Sequence, residues 1–180
     1  MAWTTFPTLT DGQVLTGAHM QLVRDNFAET APAKATTAGR FIVTTGANTI
    51  AERIPTNNFV GTSETTTSNV YTDRTTVGPA VTVTTGTRAI VAVTCDAWNS
   101  TLSAYSWMSY AVSGASTVSA SDSIGMGIRS ATADAATGSR CSYIDMNTSL
   151  TGGSNVFTAK YRATTANGKF GNRALLVIPL

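Results

Sequence analysis

Two stretches of this chain are apolar at every position, AIVAV over 89–93 and ALLVI over 174–178. Each is far shorter than the roughly 20 apolar residues a helix needs to cross a bilayer. Runs this short, rich in branched side chains and bounded by turn formers such as NGKFGN (167–172), predict strands buried on both faces. Elsewhere the pattern alternates. NVFTAKYR (155–162) places Phe157, Ala159 and Tyr161 on one face of a strand and Thr158, Lys160 and Arg162 on the other. From Thr56 onward, strands are predicted near 67–72, 80–84, 88–96, 105–113, 125–130, 140–149, 155–162 and 172–180, separated by TTVGP, TTGT, WNSTLS, SGAS, ADAATG, LTGGS and TTANG. Turns every ~8–12 residues are the rhythm of a sandwich. Two strands apolar on both sides, in a sandwich otherwise half polar, imply one sheet covered twice. The partner sheet covers one face and another subunit the other, with the last strand central in its sheet.

Residues 1–55 follow a different pattern. Thr16 is positioned to cap a short helix near 16–28, in which Met20, Val23 and Phe27 fall on one face and Asp25 and Asn26 opposite. Pro32 stops it, and APAKATT (31–37) reads as a linker. Two short β-like runs, Phe41–Thr44 and Thr49–Arg53 around TGAN, predict a small hairpin. The apolar residues of this arm (Trp3, Phe6, Leu15, Met20, Leu22, Val23 and Phe27) are too few for a core of their own, so they are expected to dock on a foreign surface. The predicted organisation is an arm over 1–55 and an all-β, antiparallel sandwich over 56–180.

Composition sharpens this picture. Only 12% of residues are charged, while 33 of the 180 are Thr, against about 25% charged in an ordinary globular protein. Thr favours strands, so the surfaces are expected to be neutral and hydrogen-bonding. The net charge is +2 and the densest basic group is KYR at 160–162, which argues against a nucleic-acid partner held through phosphates. No signal-like or membrane-spanning segment is read, so assembly in a cytoplasm and no membrane partner are expected. Cys95 and Cys141 are read as free thiols, with Cys95 inside an apolar strand.

Chemistry-bearing patterns are scarce. His19, the single histidine, lies on the arm helix, away from any serine that could act as a nucleophile. Asp96, Asp122 and Asp145 could meet at loop ends around a cation, but Asp also commonly caps turns. Asn99 (NST) and Asn147 (NTS) match a glycosylation signal that chance supplies easily in so Thr-rich a chain. Trp98, Tyr105, Trp107 and Tyr110 form the densest aromatic group. Sugar stacking is one reading, but alternation puts Trp107 and Tyr110 on opposite faces, which favours core and intersubunit packing. No enzyme, cofactor, catalytic or metal site is expected.

The opening stretch MAWTTFPTLTDGQVLTGAHMQLVRDNF resembles a segment at the N-termini of tailed-bacteriophage virion proteins, with Trp and Thr, then DGQVLT, a short helix and RDN. AGRFIVTTGANTIAER resembles linkers of phage appendages. From about residue 62, GPAVTVTTGTRAIVAV, MSYAVSGAS, GGSNVFTAKYRAT and GNRALLVIPL resemble phage domains of the C1q/TNF-like jelly-roll type. The resemblance implies a homotrimer around a threefold axis, with the last strand central in the sheet that faces the other protomers. Tyr161, Leu175, Leu176, Val177, Ile178 and Leu180 would then build that strand's core and trimer contacts. It further implies a non-enzymatic virion component, assembled in a bacterial host. The arm would dock on the major capsid protein or another virion protein as a head decoration; a tail-tip or fibre adhesin with a host glycan partner is the alternative.

Overall fold

The alternation after residue 55 becomes two antiparallel sheets in the computed structural model, which describes residues 4–30, 34–47, 49–131, 138–165 and 167–180. The chain divides into two units, Met1–Ile54 and Pro55–Leu180. The second holds β3 (Thr56–Val60), β4 (Glu64–Thr66), β5 (Ala80–Thr85), β6 (Ala89–Asn99), β7 (Tyr105–Gly114), β8 (Gly125–Arg129), β9 (Ser139–Asn147), β10 (Gly153–Ala163) and β11 (Gly168–Pro179). One sheet runs β5-β10-β7-β8; the other runs β3-β11-β6-β9, with β4 pairing to β11 as well. The two doubly apolar strands, β6 and β11, are therefore neighbours. β11 is interior, with β6 along one side and β3 and β4 along the other. The expected all-β sandwich and central last strand are both present.

Strict alternation sends every second residue inward. Val91, Val93 and Cys95 of β6 and Leu175 and Val177 of β11 meet Met108, Tyr110, Phe157 and Tyr161 of the facing sheet in one buried cluster. Tyr161 packs on Phe170 at 5.0 Å between ring centroids and Tyr110 on Phe157 at 6.0 Å, both tilted, pairs worth about 0.5–1.5 kcal/mol each beyond area burial. The ends of the sandwich are closed by buried asparagines. Asn155 Nδ2 donates to Thr85 Oγ1 (2.8 Å) and Thr151 O (3.0 Å), while its Oδ1 accepts from Ser116 N (2.8 Å). Asn99 Nδ2 donates to Thr165 O at 2.9 Å, and Asn147 Oδ1 accepts from Ser149 N at 3.0 Å. Both glycosylation-like asparagines are thus buried and bonded through their side chains.

The strand expected at 67–72 does not form. Ser68 Oγ donates to Val70 O and accepts from Val70 N, and Thr66 Oγ1 accepts from Ser68 N. Such local side-chain bonds compete with a ladder, and Thr72 keeps only an isolated bridge to Tyr161. The edge of β11 is filled instead by β3, where the turn-like TNNFV pairs along Arg173–Val177. β11 also starts earlier than its apolar run. It enters at Gly168, and its register slips between Gly171 and Ala174, where Asn172 takes φ +45°. That extra residue is a bulge, and it switches the inward phase from Gly168 and Phe170 to Arg173, Leu175 and Val177.

In the first unit, α1 spans Gly17–Ala28 and the hairpin is β1 (Phe41–Gly46) with β2 (Thr49–Arg53), in register Phe41↔Arg53. Thr16 caps α1 as expected: its Oγ1 accepts from His19 N at 3.3 Å and its own N–H donates to His19 Nδ1 at 3.2 Å. The burial of one polar helix residue was not foreseen. Asn26, read as lying opposite Met20, Val23 and Phe27, is the buried residue of α1; its Oδ1 accepts from Thr4 N and its Nδ2 donates to Thr4 O, both at 3.0 Å. This two-way amide bond ties the helix to the backbone of Thr4, while Phe27 is 70% exposed. Residues 31–33 of the linker, Asn48 of the hairpin turn, 132–137 of the ADAATG loop, Ala166 of the TTANG turn and the arm residue Trp3 lie outside the described residues.

Candidate interaction surface

The outward residues of β6, β9 and β11 fall into register as rows across the five-stranded sheet. Met146, Ile90 and Ile178 form the first row, and Ile144, Ala92, Leu176 and Asn57 the second. Ser142, Thr94, Ala174 and Phe59 form the third, and the next pair is Asp96 with Arg140. The face is therefore apolar at the end where β11 finishes and turns polar toward the bulge. Its large side chains are open: Ile144 is 68% exposed, Phe59 55%, Met146 51% and Leu176 37%. A shallow groove of about 370 Å³, lined by Asn57, Ala92, Ile144, Ala174 and Leu176, runs through the second row. Isolated exposed apolar side chains are ordinary, but a contiguous patch rimmed by polar residues marks a contact surface.

No protein-family model matches this sequence, and no curated protein matches it.

The residues named from sequence divide between two sides of β11. Leu175 and Val177 are buried in the core with Tyr161, whose hydroxyl donates to Gly78 O at 2.9 Å. Leu176, Ile178 and Leu180 belong to the opposite phase. Among the arm residues, Leu15, Met20 and Phe27 are exposed, while Phe6, Leu22 and Val23 are half-buried. Ile144, Met146 and Phe59 were missed by the sequence reading. β9 is polar at most positions and no strand was predicted at 56–60; the signal available was the alternating Tyr143-Ile144-Asp145-Met146, which puts two apolar side chains on one face.

The aromatic group separates onto three surfaces. Tyr110 is in the core, its hydroxyl donating to Asp145 Oδ2 at 2.9 Å. Trp98 lies on the outer side of the five-stranded sheet under Lys169, whose Nζ is 4.4 Å from the ring centroid. Tyr105 and Trp107 stack on the outer side of the other sheet, with centroids 5.8 Å apart and planes 24° from parallel. Trp107 lies so close over Gly127 that a Cβ there would fall 2.7 Å from ring atoms. Arg162 sits between Trp107 (5.5 Å) and Tyr71 (5.6 Å), held by Asp122, which also accepts from the Tyr71 hydroxyl at 2.9 Å. Trp107 and Tyr110 thus lie on opposite faces of β7, as alternation predicts, with Tyr110 in the core and the Tyr105–Trp107 pair on the outer side.

The three aspartates named from sequence each have their own partners: Arg140 and Asn172 for Asp96, Arg162 and Tyr71 for Asp122, and Tyr110 for Asp145. Among the described residues, no three His, Cys, Asp or Glu side chains come together as metal ligands, and no helix is long and apolar enough to cross a membrane.

Hydrogen bonding from Arg162 holds the Asp122 carboxyl below its ordinary value, and Arg140 does the same for Asp96. A carboxylate depressed in the folded state contributes stability that is present above its unfolded pKa, about 3.9, and lost as pH falls through the folded value. Thermal melts should therefore show the midpoint falling between pH 5 and 2. Asp122→Asn should flatten that acid limb relative to wild type; parallel limbs would show that the Arg162 contact carries no linked stability.

Proposed function

We propose that this chain is a non-enzymatic, homotrimeric structural protein of a tailed-bacteriophage virion, whose arm docks on the particle and whose sandwich is a C1q/TNF-like jelly roll. The observation that carries this reading is the exposed apolar face centred on β11. Burial returns about 25 cal/mol per Å² of apolar surface, and a stable interface takes about 800 Å² from each partner. A symmetric trimer closes such a face without leaving a free copy of it. The strand orders β5-β10-β7-β8 and β3-β11-β6-β9 support the jelly roll, since consecutive strands repeatedly change sheets. Exposed Phe27, Met20 and Leu15 support docking by the arm, because they offer apolar surface with few charges. Head decoration, with the capsid as partner, is the preferred placement. One observation favours a fibre or tail-tip adhesin instead: the outward Tyr105–Trp107 stack, a ring surface suited to a host glycan.

The purified chain should sediment at about 56 kDa, three times 18.7 kDa. The double substitution Ile144→Asp/Leu176→Asp should yield a monomer with an unchanged far-ultraviolet spectrum, because both side chains point away from the core. A wild-type monomer at tens of micromolar would overturn the trimer. Immunogold labelling of virions then separates capsid from tail.

A further inference from the structure

The chain has two cysteines in 180 residues, and the fold sets them directly opposite one another. Cys95 of β6 is the register partner of Cys141 on β9, and both are free thiols. We propose that Cys95 and Cys141 form a latent cross-strand disulfide, closed by oxidation, that staples the edge strand β9 to β6.

The geometry carries this. Directly paired residues of antiparallel strands have their Cα atoms about 4.5 or 5.5 Å apart and their side chains on the same face. Both separations lie inside the ~4.4–6.8 Å span of protein disulfides, so no backbone rearrangement is required. The Cβ atoms of such pairs are about 4.5–5.5 Å apart and must draw in to about 3.5–4.5 Å. That modest strain makes the bond readily reducible, the property of labile rather than permanent disulfides. At present the Cys95 Sγ faces Met126 Sδ across the sandwich at 3.6 Å. Closure exchanges that weak contact for the S–S bond.

Access sets the order of events. Cys141 is half-buried on β9, which ends its sheet, whereas Cys95 is buried. Burial first, and then the neighbouring Asp96 carboxylate, push the Cys95 thiol far up, so Cys95 is the poorer first nucleophile. The Cys141 thiolate attacks one sulfur of a small disulfide such as oxidised glutathione and expels one glutathione thiolate. Cys95 then loses its proton to solvent, and its sulfur displaces the second glutathione from Cys141. Two protein thiols are oxidised and one glutathione disulfide is reduced to two glutathiones. The bond closes a loop of more than forty residues and pins the strand that carries Ile144 and Met146. It rests on the register alone, not on the oligomeric or virion reading.

The full chain should be reduced and then equilibrated in a buffer of oxidised and reduced glutathione, both as native protein and during refolding from urea. Trapping free thiols in acid and denaturant should show both lost, a mass lower by about 2 Da, and a peptide linking residue 95 to residue 141. The oxidised chain should melt several degrees above the reduced one, while Cys141→Ser should show no such rise in the same buffer. Refolding removes the barrier of burial. If both thiols stay free in that sample too, if Cys141 stops as the glutathione adduct, or if the bonds formed join different chains, the proposal is wrong.

Discussion

A chain cut after Arg173 is expected to show no cooperative unfolding transition. The lost residues, Ala174–Leu180, pair with β3 through Ala174–Val177 and with β6 through Ala174–Pro179. Leu180 adds two further bonds, accepting from Gly86 N at 2.8 Å and donating to Arg88 O at 3.0 Å. Removing a central strand orphans the facing ladder groups of both neighbours, which in a buried sheet find no water. It also empties the sites of Leu175 and Val177, both fully buried. A single Leu→Ala change in a core costs about 2–5 kcal/mol, while a whole domain is stable by only about 5–15 kcal/mol. Two point variants calibrate the result. Leu175→Ala, facing the core, should lower stability by about 3 kcal/mol in urea titrations followed by circular dichroism. Leu176→Ala, one residue along but on the outer face, should cost well under 1 kcal/mol in a monomeric background. Equal effects at 175 and 176 would contradict the burial phase of β11.

The second large effect concerns the charge buried within that strand. Arg173 is fully buried; its Nη1 is 3.6 Å from Glu64 Oε2, its Nη2 donates to Thr62 Oγ1 at 3.1 Å, and its guanidinium lies 5.3 Å from the Tyr161 ring centroid. Nε and Nη1 of Arg173 and Oε2 of Glu64 make no hydrogen bond. The pair is therefore held by charge more than by good geometry, and its desolvation is poorly compensated. Removing one partner leaves a bare buried charge, so Glu64→Leu should destabilise by about 3 kcal/mol. Replacing both, as Glu64→Leu/Arg173→Met, should recover most of that loss, because two apolar side chains need no counter-charge. A double-mutant cycle by urea denaturation measures this. Additive single and double effects would mean that the two groups do not feel each other.

How much of this was legible depended on how local its cause is. The phase of NVFTAKYR could be read directly, since a strand alternates its side chains whatever it packs against. The Thr16 cap was legible for the same reason: its bonds reach only three residues along the chain. Arg173 was not. Its inward direction follows from the one-residue slip at Gly171–Ala174, and a slip of one residue reverses every side chain after it. The burial of Asn26 was not legible because its partner is the backbone of Thr4, 22 residues away, and a polar side chain at a helical position carries no mark of such a bond. The same holds for the opposed cysteines, separated by a long excursion through β7 and β8 and joined only by register.

The sequence by itself determined the all-β sandwich, the split near residue 55 and the presence of two strands apolar on both sides. Period and turn chemistry are properties of consecutive residues, and burying alternate side chains is enough to enforce them. Only the tertiary structure decided that those two strands lie side by side. It also decided that β3 and β9 extend their outer surface with Phe59, Ile144 and Met146, and that Cys95 faces Cys141. Those outcomes depend on which distant strands pair and in what register, a choice made by the summed burial of the whole core rather than by any segment within it.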